Sequence, residues 1–145
     1  MQPLSRTTAQ LLLLTVLAAT FVAGCATNVN SGADKPAAFD LQKRAIERST
    51  TRWKALTDKR YSDSFNFLSE ASRLGTTASE YGASMQRMGF VAAVVEGATC
   101  DASSCTVRAN VTLPIAVRNV GTRLQTLPGE ERWILNNGEL WLIRL

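Results

Sequence analysis

The chain has 145 residues, 46% apolar and 19% charged, with a formal charge of +4 and no histidine. That is room for one core, and the balance excludes a disordered chain and a multi-span membrane protein. Its 16 basic side chains are spread among 12 acids, which excludes a nucleic-acid footprint.

Met1 to Gln10 carries one charge, Arg6, and runs into the apolar stretch Leu11–Ala23. A short charged region followed by a short apolar one is the pattern of a secretory signal peptide, expected over residues 1–24. The run breaks at Gly24 with Thr15 and Thr20 inside it, short of the roughly 20 apolar residues that a spanning helix needs. Val22-Ala23-Gly24-Cys25 resembles the bacterial lipobox, which implies cleavage before Cys25 and acylation of its sulfur with palmitate-type chains. Several acyl chains give stable anchoring where one is marginal. Ala26 follows the cysteine, and the lipobox sorting rule then implies the outer membrane, facing the periplasm. Residues 25–36 are small, polar and without apolar period, so a flexible tether is expected before a domain at 37–145.

Helical spacing dominates next. Ile46, Trp53 and Leu56 fall on one side of an amphipathic helix over Ala37–Leu56. Its basic run, Lys43, Arg44, Arg48, Arg52 and Lys54, is diluted by Glu47 and reads as a solvated face. Tyr61, Phe65 and Leu68 predict a second, shorter helix that stops before Gly75. Thr77-Ala78-Ser79-Glu80 is a capping box that starts a third, carrying Tyr81, Met85 and Met88 inward and ending near Gly89.

Past Gly89 the period becomes two. Cys105–Val117 alternates apolar and polar residues, as a strand with one buried and one wet face, and Pro114 in it suggests an edge or a bulge. Phe90–Cys100 is a strand before it, and Val120–Thr126 one after it, ended by a turn at Pro128-Gly129. Glu130–Leu135 and Glu139–Leu145 flank Asn136-Asn137-Gly138, a hairpin signal. Three helices followed by an antiparallel sheet make the fold class α+β.

Over residues 38 to 145 the chain resembles the nuclear transport factor two-like superfamily. The likeness rests on Arg52–Leu56, Phe67–Ser69, Ser79–Tyr81, Cys105–Arg108, Glu130–Trp133 and Leu140–Leu142. It implies three helices closed by a curved antiparallel sheet in a cone-like roll, a pocket between the two, and dimers through the outer sheet face. These are packing and capping positions, so they carry a fold and no catalytic signature.

Cys100 and Cys105 bracket a four-residue loop that would set them opposite each other at the end of two antiparallel strands. An exported chain favours a disulfide there, with a redox pair as the alternative. Two thiols without histidine do not make a metal site, and no cofactor motif is present. The missing imidazole also removes Ser-His-Asp and Cys-His catalysis. Registering Cys100 on Cys105 brings Glu96 to the core side with Ala98 and Val94, where it could line a pocket with Trp53 and Tyr81. A bulge at Gly97 would instead turn it to solvent. Trp53, Trp133 and Trp141 close the core or form an aromatic box, and Tyr61 is a packing residue.

Thr106, Arg108, Asn110 and Thr112 line the outer face of the alternating strand, where a partner or a second copy would meet it. The reading that follows is a membrane-tethered, non-enzymatic binding or scaffolding domain for a protein or envelope component. A pocket for a small apolar ligand and a histidine-free enzyme are the alternatives.

Overall fold

The computed structural model describes residues 34–144, so the leader, Cys25 and Ala26 lie outside the described residues. Helix α1, Asp34–Thr57, buries Leu41, Ala45, Ser49, Arg52 and Leu56, a stripe with steps of four, four, three and four. It begins inside the expected tether: Asp34, Lys35 and Pro36 are its first residues, and a first turn tolerates proline because its amides have no helical partner.

The expected second helix is two short pieces, α2 (Tyr61–Phe65) and α3 (Glu70–Arg73). The sheet causes the break. The Ser69 amide donates to the Leu142 carbonyl at 2.8 Å and the Leu142 amide to the Phe67 carbonyl at 2.9 Å. Fully buried Leu68 thereby lies as a one-residue parallel bridge on the last strand. Ser69 restarts the helix, its hydroxyl accepting the Ser72 amide at 3.1 Å. Helix α4, Ala78–Met88, opens with the capping box: the Thr77 hydroxyl accepts the Glu80 amide at 3.2 Å, and the Glu80 carboxylate accepts the Thr77 amide at 2.8 Å. It closes on Gly89 at φ 66°.

Four strands form one antiparallel meander in chain order: β1 (Ala92–Cys100), β2 (Ser104–Val117), β3 (Gly121–Asn136) and β4 (Glu139–Ile143). The turn expected at Pro128-Gly129 is absent from the structure, and the two strands on either side of it are one. Pro128 pairs with Asn110 and Gly129 with Ala109. The long alternating run of β2 offers a partner to every residue of β3 from Gly121 to Ile134, and β4 reaches only as far as Arg132, so a proline at 128 sits on a free edge. Asn137 (φ 51°) and Gly138 (φ 78°) supply the paired left-handed conformations of the tight β3–β4 turn.

The helices lie on one face of the sheet. Between them Leu68, Tyr81, Cys105, Val107, Trp133 and Leu140 are shut off from solvent. Among the described residues the buried core runs from Leu41 to Leu142.

Candidate functional site

Two surfaces of the sheet take the polar side chains that could do chemistry. On the inner face, β3 places Glu131 in step with Trp133 and opposite Val107, so its carboxylate points at the helices. Arg52 meets it from the buried stripe of α1, and both residues are 7% exposed. The guanidinium Nη1 is paired with Glu131 Oε1. The other carboxylate oxygen accepts the Ser49 hydroxyl at 2.6 Å and the Trp133 indole N–H at 3.1 Å. Arg52 Nη2 donates to the Tyr81 hydroxyl at 3.3 Å, which shares a 2.9 Å hydrogen bond with Ser64. One ion pair thus ties α1, α2, α4 and β3 together. Its carboxylate is engaged by three donors, which leaves little acceptor capacity for a substrate.

The reading of Arg52 as part of a solvated basic face is corrected here. Helical spacing puts it on the same stripe as Leu41, Ala45 and Leu56, and its neighbour Trp53 is the half-buried one, under the Arg52 guanidinium at 4.9 Å and edge-on to Phe90 at 5.3 Å. Glu131 was legible in principle. Trp133 and Leu135 alternate inward, and parity carries Glu131 in with them.

The structure does not bring Glu96 together with Trp53 and Tyr81. Val95 pairs with Ala109 and Gly97 with Arg108, so Glu96 is the extra residue of a bulge. It stands exposed on the outer face, where its carboxylate accepts the Asn110 amide. The bulge also exchanges the faces beyond it: Val95 and Ala93 turn inward, and Val94 turns out to 64% exposure. Trp133 is sealed in the core, whereas Trp141 lies half-buried between the guanidiniums of Arg48 and Arg73, 5.6 and 5.7 Å from its ring.

Cys100 and Cys105 are cross-strand partners with Cα atoms 4.1 Å apart and their sulfurs bonded. Asp101 organises the loop between them. Its carboxylate accepts the amides of Ser103 and Ser104, both at 2.7 Å, and the Ser104 hydroxyl at 2.9 Å. The Ser103 amide first, then the Ser104 hydroxyl and amide, hold its pKa down to about 2.

On the outer face, Thr106 and Arg108 are exposed, Asn110 and Thr112 half-buried, and the Thr112 hydroxyl shares a 2.8 Å hydrogen bond with Thr126. A groove of about 300 Å³ crosses this face, lined by Glu96, Arg108, Ala109, Pro128, Gly129 and Glu130. Its floor is the strand backbone at Ala109 and Gly129, cross-strand partners on β2 and β3. Arg108 and Glu130 are direct cross-strand partners, yet neither is in an ion pair among the described residues.

Helices first, then an antiparallel sheet closing over them, is the arrangement that the sequence resemblance implies. The fold class is α+β. The chain is similar in structure to a Campylobacter jejuni protein named as an NTF2-like transpeptidase, at 12% identity and a TM-score of 0.41, over 79% of this chain and 100% of that one. Neither a protein-family model nor a curated protein sequence matches the chain.

Proposed function

We propose that the protein is a lipid-tethered envelope lipoprotein whose NTF2-like domain is a non-enzymatic binding or scaffolding module, engaging a protein or envelope component through the outer face of its sheet. The observation that carries this reading is the division of polar groups between the two faces. Inside, Arg52, Glu131 and Trp133 are buried and bonded to one another. Outside, Arg108 and Glu130 border a groove with their charges uncommitted to each other. Charges at a rim steer and select partners more than they supply affinity.

Purification of the native protein from membranes in gentle detergent, with mass spectrometry of what accompanies it, tests the reading. A stoichiometric protein that is lost in the Arg108→Glu variant supports it, and a solvent-face change of this kind costs the fold under about 0.5 kcal/mol. If Glu96→Gln instead abolishes a reproducible turnover or the retention of a small molecule while the fold survives, the binding-module reading fails. Lipidation at Cys25 is tested by Cys25→Ser, which should accumulate as an unacylated precursor. A variant that migrates and fractionates like the parent removes the tether from the proposal, and recovery of the parent in the inner-membrane fraction removes the outer-membrane assignment.

A further inference from the structure

β1 begins at Ala92, opposite Thr112, and past that level β2 and β3 run on as a bare two-stranded ribbon, Leu113–Val117 against Gly121–Gln125. Five residue pairs at ~3.3 Å each carry this arm roughly 17 Å beyond the three-stranded part of the sheet. A two-stranded hairpin is marginal in water on its own. This one nevertheless has apolar side chains on both faces: exposed Leu127 with half-buried Ile115 and Val117 on one, exposed Leu124 with half-buried Pro114 on the other. Val120 in the turn is 53% exposed, Leu124 60% and Leu127 at the base 42%. Val91 adds 52% exposure alongside, its amide donating to the Thr112 carbonyl at 2.9 Å. Large apolar side chains gathered this way at one end of a molecule mark a surface that meets something other than water.

The charges that the arm and the end of α4 carry are basic. Arg118 is in the turn, Arg123 on the ribbon, and Arg87 in the last turn of α4, whose Gly89 lies so close to Pro114 that an added Cβ would sit 3.3 Å from the proline ring. Between Arg87 and Leu127 the only carboxylates are Glu96, bound to Asn110 further back on the sheet, and Asp101, in the loop at its opposite end. None of the three arginines is in an ion pair among the described residues.

We infer that this arm docks on an anionic lipid surface, with Val120 and Leu124 entering the acyl boundary and Arg118 and Arg123 meeting headgroup phosphates. The two-sided distribution of the apolar residues decides for a bilayer: a protein partner covers one face of a ribbon, whereas lipid closes around a protruding one from both. Guanidinium donors fork onto phosphate oxygens. The arm dips in and does not cross, so its free strand edges stay at headgroup level, where water satisfies them. The docking is separate from the groove at Arg108 and independent of acylation at Cys25.

The test is co-sedimentation of residues 34–145, which lack leader and lipid and whose folding is first checked by circular dichroism and a cooperative urea transition, with vesicles of phosphatidylcholine alone and of phosphatidylcholine mixed with phosphatidylglycerol. Binding is expected only to the anionic vesicles. Each arginine near such a surface contributes about fivefold, so Arg118→Ser/Arg123→Ser should lose about 25-fold. Val120→Asp/Leu124→Asp should abolish sedimentation with an unchanged circular-dichroism spectrum, the substituted side chains being in water already. A charge-matched control at the far side of the domain, Lys43→Gln/Arg132→Gln, should bind as the parent does. No binding to anionic vesicles, equal binding to both kinds, or arm variants that bind like the control overturns the inference.

Discussion

Replacing Glu131 with Gln is the sharpest test of how the domain is held together. The amide keeps the shape of the side chain but presents an N–H₂ where a carboxylate oxygen now faces Arg52, or Ser49 and Trp133. It also leaves the Arg52 guanidinium in the core without a counter-charge. Breaking a buried pair from one side costs about 3–5 kcal/mol, against a total stability of about 5–15 kcal/mol for a domain of this kind. Arg52→Met should cost about as much, because Glu131 is then the unpaired charge. Removing both partners is a different perturbation. In Arg52→Met/Glu131→Met no buried charge remains, the Ser49 hydroxyl can turn to a carbonyl of its own helix, and the main loss is the orphaned Trp133 N–H at about 1–3 kcal/mol. The double variant should therefore be more stable than either single one. Urea unfolding at neutral pH with the disulfide intact reads all four proteins, with stability taken from midpoint and slope. A Glu131→Gln loss below about 1 kcal/mol, or a double variant that loses the sum of the two single ones, would refute the buried clamp.

Three further outcomes follow from local geometry. Thr77→Ala removes the hydroxyl that caps α4 and should cost about 1 kcal/mol in thermal or urea melts. Glu80, held below the ordinary carboxylate range by the Thr77 amide and then its hydroxyl, should move part of the way back in that variant, because the amide of residue 77 remains, and an unchanged titration by NMR would dissociate it from the cap hydroxyl. Asp101 should titrate near 2. Its folded pKa lies below the ordinary 3.8, so its contribution is complete above that value and fades as pH falls through about 2, and Asp101→Asn should lose stability at neutral pH and show a flatter acid limb. Cys100→Ser should cost less than the ~3 kcal/mol of a 15-residue loop, and Cys105→Ser more than Cys100→Ser, because Cys105 is 1% exposed and its replacement puts a hydroxyl into the core. Two thiols alkylated in the denatured, unreduced protein would rule the bond out.

The elements most open to reading in advance were those whose cause is local. Thr77 and Glu80 cap α4 through atoms three residues apart, and Cys105–Val117 alternates because one strand has one wet face. What escaped the sequence was set by distant partners. The helix expected through Leu68 breaks because β4, more than 70 residues on, takes the Phe67 and Ser69 backbone. Pro128-Gly129 looks like a turn until β2 is long enough to pair with it and β4 too short to cover it. Arg52 reads as surface until Glu131 stands opposite, and it does so by the two-residue parity of β3 together with the stripe of α1. The ends of that chain of inference were in the sequence; the join was not.

The bulge at Glu96 links the two faces of the molecule. An unbroken register from Cys100–Cys105 would have driven Glu96 inward with Val94 and Ala92, placing a second carboxylate under helices whose Arg52 is already committed to Glu131. Burying a charge without a partner costs several kcal/mol, whereas one extra residue in an edge strand costs a local ladder contact. The backbone takes the cheaper course at Gly97, and the consequences fall on the outside. Glu96 is set beside Arg108 and Glu130 over the strand backbone at Ala109 and Gly129, which makes the groove, and Val94 is turned out to solvent. The same step that keeps a second charge out of the core beside the Arg52–Glu131 pair thus equips the outer face with charge in the middle and apolar side chains at the end, which is why we propose binding at that face and not in the interior.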